Sequence, residues 1–169
     1  MKPNAINYLS LAKKAGRIEI GEESAGAAAR ACHARLLLVA KDAPDGALRR
    51  ARNFVAGSGQ QLAVVPFSKE ELGAALGKSV VSLAAITDPA LALAFLQALE
   101  DPQRYEGALE DLANRTKRVR QRQLEEKAHQ KNLQRGKRRR QRGGPAGHHK
   151  AGPGTPVAQS KRQAKPAVR

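Results

Sequence analysis

The chain contains a continuous apolar run, Leu36-Leu37-Leu38-Val39-Ala40, bounded by a basic segment and a turn-forming segment. An apolar side chain at every position of so short a run is typical of a strand that is buried on both of its faces. Similar runs follow at residues 62–65, where Pro66 ends the run, and at residues 80–86. Together they predict a sheet covered on both sides, which restricts the fold to α/β arrangements.

Helix signals separate these strands. The apolar spacing predicts a helix over residues 4–15, and Gly21 opens an Ala-rich helix with two acidic residues in its first turn. Ser68 with Glu71 three residues later predicts a capping box, and Asp88 precedes an apolar helix that ends near residue 99. With residues 18–20 as a short fourth strand, this alternation predicts a three-layer α/β/α sandwich with a mostly parallel, mixed four-stranded sheet.

The charge of the chain is concentrated in its last third. Residues 1–114 carry 13 basic and 13 acidic side chains, whereas residues 115–169 carry 18 basic and 2 acidic ones and hold the whole net charge of +16. We predict an α/β/α domain over residues 1–100, a basic extension with helical potential over residues 101–142, and a disordered basic tail over residues 143–169. The Gly, Pro, Gln and Lys content of that tail is too polar to offset the entropy of ordering.

Composition also narrows the cellular setting. Cys32 is the single cysteine, so the chain cannot form an internal disulfide, which fits a reducing cytosol. The first residues lack the apolar core of a signal peptide, and no apolar run approaches the roughly 20 residues that span a bilayer. We therefore expect a cytoplasmic protein with no membrane partner.

Several short motifs suggest chemistry, but each lacks the context that the chemistry needs. Gly77-Lys78-Ser79 has the wrong spacing from Gly73 and lies between a helix and a strand, so it does not match a phosphate-binding loop. Cys32-His33 has no third group to orient the imidazole, and His148-His149 has no further metal ligands nearby. Asp42 follows a buried strand without a catalytic partner and is expected to form a turn. The sequence predicts no enzyme, no cofactor and no metal site.

The basic segment has a clearer interpretation. Residues 115–142 contain 13 basic and 2 acidic side chains and no aromatic one. Such an excess indicates contacts with phosphates, and the lack of aromatic side chains argues against stacking on single-stranded bases. The candidate phosphate-binding residues are Arg115, Lys117, Arg118, Arg120, Arg122, Lys137, Arg138, Arg139 and Arg140.

Four segments of the body occur in an order that resembles a known family. They are Leu-Ser-Leu-Ala-Lys-Lys-Ala-Gly-Arg at 9–17, Ile-Gly-Glu-Glu-Ser at 20–24, Ala-Arg-Leu-Leu-Leu-Val-Ala-Lys-Asp-Ala at 34–43 and Ser-Lys-Glu-Glu-Leu-Gly-Ala-Ala-Leu-Gly-Lys at 68–78. Over roughly residues 4–99 the chain resembles the kink-turn-binding ribosomal protein family (the L-seven-Ae and L-thirty-e type) in its short bacterial form, here with a basic C-terminal extension.

The resemblance implies an α/β/α sandwich with an RNA site built from the start of one helix and the loop before the last strand. It implies that the backbone at Gly21 approaches the RNA closely. The residues that would meet the sheared G·A pairs of a kinked RNA are Glu22, Glu23 and Ser24. Those that would cover the extruded nucleotide are Lys78, Ser79 and Val80. Those that could contact flanking phosphates are Lys13, Lys14, Arg17, Arg35 and Lys41.

This chain departs from the fullest form of the family motif. The family has Asn and then Glu where this chain has Glu23 and Ser24, and a Lys where it has Ala27. Association with ribosomal or other structured RNA through another face, helped by the tail, is therefore an open alternative.

The leading hypothesis is a non-enzymatic RNA-binding protein, with ribosomal or kink-turn-like RNA, and the ribosome itself, as candidate partners. One alternative is a nucleoid or DNA-binding protein driven by the tail, with the body as a dimerisation module. Another is the RNA-recognition partner of an RNA-modifying enzyme. The oligomeric state is left open.

Overall fold

The structure, a computed structural model, describes residues 2–142, with side chains for residues 5–135 and 137. The strands are β1 (Ile18–Ile20), β2 (Leu36–Val39), β3 (Gln61–Val64) and β4 (Leu83–Ile86). The helices are α1 (Lys2–Lys14), α2 (Glu22–Arg30), α3 (Asp45–Val55), α4 (Lys69–Leu76), α5 (Pro89–Ala98) and α6 (Glu106–Arg142). The chain divides into two compact units after Lys127, and the sheet belongs to the first. The predicted disordered tail, residues 143–169, lies outside the described residues.

The four strands form one mixed sheet in the order β1-β4-β2-β3, which confirms the predicted α/β class. The expectation that the sheet is mostly parallel was wrong. Of the three strand pairs in the described part of the chain, only β2 with β3 is parallel, because β4 lies between β1 and β2 and runs antiparallel to both. Helix and strand alternation does not fix strand direction, because a connection can return to the edge from which it began.

The connection from α4 to β4 makes such a return. The amide of Lys78 donates to the carbonyl of Gly73 (2.9 Å), and the amide of Val81 donates to that of Lys69 at the start of α4 (3.0 Å). The chain thus runs back along α4 and enters the sheet at the edge where β3 ends. Because residues 80–82 belong to this return, β4 is shorter than the predicted strand over residues 80–86.

Two apolar cores lie on opposite faces of the sheet. On one face, α1, α4, α5 and the start of α6 cover the sheet side chains of Leu36, Leu38, Ala84 and Ile86. On the other face, α2 and α3 cover Leu37, Val39, Leu83 and Ala85. Alternate residues of the same strands thus face opposite layers, as the period of a strand requires. The predicted three-layer sandwich is confirmed.

Polar side chains fix the beginnings of two helices on this scaffold. Ser68 and Glu71 form the predicted capping box: the Ser68 hydroxyl accepts from the Glu71 amide (3.2 Å), and the Glu71 carboxylate accepts from the Ser68 amide (2.7 Å). Asp42, in the turn after β2, accepts from the Lys69 amide (2.8 Å). Asp42 therefore also satisfies an amide in the first turn of α4, where such donors have no partner within the helix.

The packed body continues past residue 100, where the sequence pattern suggested a boundary. Tyr105 and Leu112 are 5% and 0% exposed and belong to the larger core. The Tyr105 hydroxyl donates to the carbonyl of Val64 (2.7 Å) on β3, which is an edge strand. Burial raises the pKa of Tyr105, an effect that Arg104 opposes and Asp101 reinforces, so the hydroxyl stays a donor at neutral pH. The first turns of α6 thus cover an otherwise open edge of the sheet.

No helix within residues 2–142 combines the length and the apolar character that crossing a membrane requires.

Candidate nucleic-acid interface

The predicted RNA-site segments meet at one edge of the sheet. This front edge consists of the carboxyl ends of β1, β2 and β3 and the amino end of β4. The amide of Gly21, just after β1, donates to the carbonyl of Leu83 (3.0 Å), and the amide of Ala40, just after β2, donates to that of Ser82 (3.0 Å). The turn that opens α2 and the loop that precedes β4 are therefore neighbours, although about 60 residues separate them in the sequence.

Gly21 gives the front edge its backbone conformation. It is the N-cap of α2 with φ 96° and ψ 165°, a region that is almost exclusive to glycine. Without a side chain, its backbone and the amides that follow it in the first turn of α2 are open to close approach. That turn is the positive end of the helix dipole, although it also carries Glu22 and Glu23.

The Gly21→Ala variant is expected to lower the free energy of unfolding by about 1–3 kcal/mol, because alanine is strained at this φ even though it has space. Gly107→Ala is the matched control. A Cβ there would meet open space among the described atoms, and alanine is favoured over glycine inside a helix by roughly 0.5–1 kcal/mol. Urea midpoints of the two variants check this. Equal stabilities would show that the turn at Gly21 is not held in the described conformation.

The three polar residues after Gly21 have different environments. Glu22 is half-buried, and its carboxylate is bound by the Arg50 guanidinium of α3 through two nitrogens, one of them at 2.9 Å. Glu23 and Ser24 are exposed. Glu23 and Ser24 are therefore the side chains that can accept hydrogen bonds from a ligand, while Glu22 joins α2 to α3. Sequence reasoning missed Arg50, because nothing local links two residues 28 positions apart.

Lys78, Ser79 and Val80, in the loop that leads to β4, are exposed, and Val80 is 51% exposed, which is high for an apolar side chain. Gly73 sets how closely the loop lies against α4: a Cβ at Gly73 would be 2.6 Å from the Ser79 carbonyl oxygen. Gly73 received no packing role in the sequence analysis. Its position inside a helix, where glycine is costly, was the signal of a packing role.

Of the three predicted phosphate-contacting lysines, Lys13 lies near this loop and Lys41 lies at the front edge. The Lys13 ammonium group lies beside Gly77, the C-cap of α4, one residue before Lys78. Lys41 follows β2, where its amide donates to the Phe67 carbonyl (2.9 Å), and its ammonium group is 4.0 Å from the Glu71 carboxylate. Lys14 is exposed at the end of α1.

Arg17 and Arg35 lie at the opposite, rear edge of the sheet. The Arg17 carbonyl accepts from the Thr87 amide (2.9 Å), and the Arg35 amide donates to the Ile86 carbonyl (2.8 Å), so both precede their strands. Strands of three or four residues put about 10–13 Å between the two edges. The structure therefore divides the predicted set of flanking-phosphate residues between two edges.

The predicted phosphate-binding residues of α6 also differ from one another. The Arg115 guanidinium binds the Asp111 carboxylate (2.7 Å) and the Gly59 carbonyl, so Arg115 joins α6 to the body instead of presenting its charge to solvent. Lys117, Arg118, Arg120, Arg122 and Lys137 are exposed. The side chains of Arg138, Arg139 and Arg140 lie outside the described residues.

The short motifs whose sequence context does not fit their chemistry lie in turns or outside the described residues. Gly77 and Lys78 end α4 and begin the loop, as expected of a turn. Cys32 is exposed just after α2 with φ 55°. Within residues 2–142, no group of three His, Cys, Asp or Glu side chains is arranged to hold a metal ion. The pair His148-His149 lies outside the described residues.

The fold is similar to solved structures at low sequence identity. A protein of unknown function from Bacillus halodurans matches 57% of this chain and 97% of its own, with 20% identity and a TM-score of 0.53. A 15.5 kD RNA-binding protein from Giardia lamblia matches 66% of this chain and 88% of its own, with 21% identity and a TM-score of 0.51. No protein-family model and no curated protein sequence matches the chain. At these identities the likeness establishes a shared fold.

Proposed function

We propose that this protein is a non-enzymatic RNA-binding protein of the kink-turn-binding type. In this proposal the front edge recognises a kinked, structured RNA. The basic part of α6 and the residues beyond it hold phosphates. The ribosome is a candidate site of action because the chain resembles a ribosomal protein family.

The observation that carries the proposal is the hydrogen bond from the Gly21 amide to the Leu83 carbonyl (3.0 Å). It joins the turn that opens α2 to Leu83, which follows the loop of residues 78–82. The family resemblance implies residues 21–24 and residues 78–80 as the two parts of the RNA site. The Giardia lamblia neighbour, an RNA-binding protein, supports the same assignment through its fold.

The chemistry of the front edge suits bases more than phosphates. The Glu23 carboxylate and the Ser24 hydroxyl are exposed acceptors, and guanine offers amino and imino donors that a phosphate lacks. An exposed carboxylate would repel a phosphate group. The exposed Val80 side chain provides an apolar surface that an unstacked base could cover.

The Glu23→Ala variant is expected to reduce the preference for a kinked RNA over a plain RNA duplex by roughly tenfold or more, because a hydrogen bond to a charged group contributes about 1.5–3 kcal/mol. Its stability should change by less than about 0.5 kcal/mol, because the side chain is exposed. The measurement is the ratio of the two dissociation constants at one salt concentration.

Glu110→Ala is the matched control, since it removes an exposed glutamate carboxylate from a different helix, α6. Removing any carboxylate strengthens phosphate binding slightly, so both variants should gain some affinity for the plain duplex. The proposal requires that only Glu23→Ala lowers the ratio. An equal ratio in both variants would mean that the front edge does not read bases.

A further inference from the structure

We propose that the rear edge of the sheet is a second RNA-binding surface, which takes the phosphate backbone of a duplex segment distinct from the RNA at the front edge. This inference rests on the proposed function for the first RNA. It predicts that one chain bridges two RNA segments.

Exposed or half-buried cations follow one another along this rear edge. Arg17 precedes β1, and Arg35 precedes β2, two strands away. The Arg35 carbonyl accepts from the Gln61 amide at the start of β3 (3.2 Å), and Gly59, two residues earlier, accepts from Arg115 of α6. From β1 to β3 this row covers three strand spacings, or about 14 Å, a length that spans several phosphates of a duplex.

The direction of α6 adds to this row. Tyr105 contacts Val64 at the end of β3, Asp111 accepts from Gln61 at its beginning (3.1 Å), and Arg115 reaches Gly59. Helix α6 therefore runs antiparallel to β3, and its exposed cations begin at the rear edge with Lys117 and Arg118. Lys117 and Arg118 therefore follow the contact of Arg115 with Gly59, at the edge that is remote from Gly21.

Two carboxylates at this edge, those of Asp88 and Asp111, already have partners. Asp88, just after β4, accepts from the amides of Ala90 and Leu91 (2.9 Å each) at the start of α5. Asp111 is bound by Arg115 and Gln61. Arg17, Arg35, Lys117 and Arg118 therefore give the edge an excess of positive charge.

A duplex is the ligand that these groups favour. Residues 115–169 contain no Phe, Tyr or Trp side chain on which bases could stack, and Arg and Lys are suited to phosphate contacts that do not depend on base sequence. Because the sheet separates the two edges, an RNA helix lying along the rear edge leaves the front edge free. A kinked RNA and a duplex should thus bind together.

The test uses the full chain, a labelled kinked RNA and an unlabelled RNA duplex of about 20 base pairs, long enough to contact the whole row. The chain is saturated with the first RNA and then titrated with the second, and native mass spectrometry counts the molecules in the complex. The variant is Arg17→Gln with Arg35→Gln. The control is Arg49→Gln with Arg52→Gln, which removes two exposed charges from α3.

We expect a complex of one chain, one kinked RNA and one duplex. The negative slope of log affinity against log salt for the duplex should become shallower by about 1.8 in the rear-edge variant, or 0.9 for each lost phosphate contact, and by much less in the control. The affinity for the kinked RNA should change less than about twofold in both.

Displacement of the kinked RNA by the duplex would overturn the inference, as would equal slopes in the rear-edge variant and the control. Failure of the proposed function gives a different result. In that case the unaltered chain binds kinked RNA and plain duplex equally in the first titration. The duplex titrations of the two variants still decide whether the rear edge binds.

Discussion

Removal of residues 117–169 is expected to abolish most of the salt dependence of RNA binding. The truncated chain keeps 14 basic and 13 acidic side chains, whereas the removed segment carries 17 basic and 2 acidic ones. If six to ten of those cations contact phosphates, the affinity of the full chain should fall on the order of 10³- to 10⁵-fold between about 50 and 200 mM salt. The truncated chain should lose much less, because only local contacts remain.

The position of the cut matters for this experiment. Ending the chain after Thr116 keeps Tyr105, Leu112 and Arg115, which join α6 to the body, so the truncated protein should fold. Its cooperative urea transition is the control. Titrations of both proteins across the salt range give the slopes. Parallel slopes in two folded proteins would show that the basic segment does not contact phosphates.

Leu112→Ala is expected to destabilise the protein by about 2–5 kcal/mol, which is the range for a buried leucine in a packed core. Leu112 is fully buried against the same core as α1 and α5, although it lies beyond the end of the domain that the sequence predicts. Since most domains are stable by only about 5–15 kcal/mol, this is a large fraction of the total. Chemical denaturation measures the change.

Leu124→Ala on the same helix is the control. Leu124 is 57% exposed, so its loss should change the stability by no more than about 0.5 kcal/mol. If the two variants were equally stable, the start of α6 would not be packed on the body and the described core would be wrong. A large effect at Leu112 alone establishes that the domain includes the first turns of α6.

The elements that the sequence predicts well are those with a strong local signal. The apolar run that contains β2 is typical of a covered strand, and the spacing of Ser68 and Glu71 indicates how α4 begins. Strand direction has no such signal. The antiparallel entry of β4 depends on the return of residues 77–82 along α4, which requires the close approach at Gly73.

The packing of Tyr105 and Leu112 in the larger core has a similarly weak sequence signal. Tyr105 and Leu112 are two apolar anchors in a strongly polar stretch, too few to mark a core helix by periodicity. What holds them is the uncovered edge of β3, which becomes visible only when the strand order is known. The assignment of Arg115 to phosphate binding overlooked the same contact with the body.

In the candidate site, too, some residues have a local sequence signal and others are placed only by tertiary contacts. The family resemblance implies residues 21–24 and 78–80 as the RNA site, and in the structure the Gly21 amide donates to the carbonyl of Leu83, three residues after Val80. The structure also separates Arg17 and Arg35 from these segments, because residues that lie near one another in a sequence motif can precede and follow the same strand. The ion pair of Glu22 with Arg50 joins two helices and therefore has no sequence pattern of its own.

We propose that the body recognises structured RNA and that the charge of the extension supports this binding. The most direct test compares the dissociation constants of the full chain for a kinked RNA, a plain RNA duplex and a DNA duplex of equal length at one salt concentration. Recognition by the front edge predicts that the kinked RNA binds at least tenfold more tightly than either duplex, a difference of about 1.4 kcal/mol or more. Equal affinity for all three, or tighter binding of DNA, would contradict the claim and favour a DNA-binding protein driven by its basic extension.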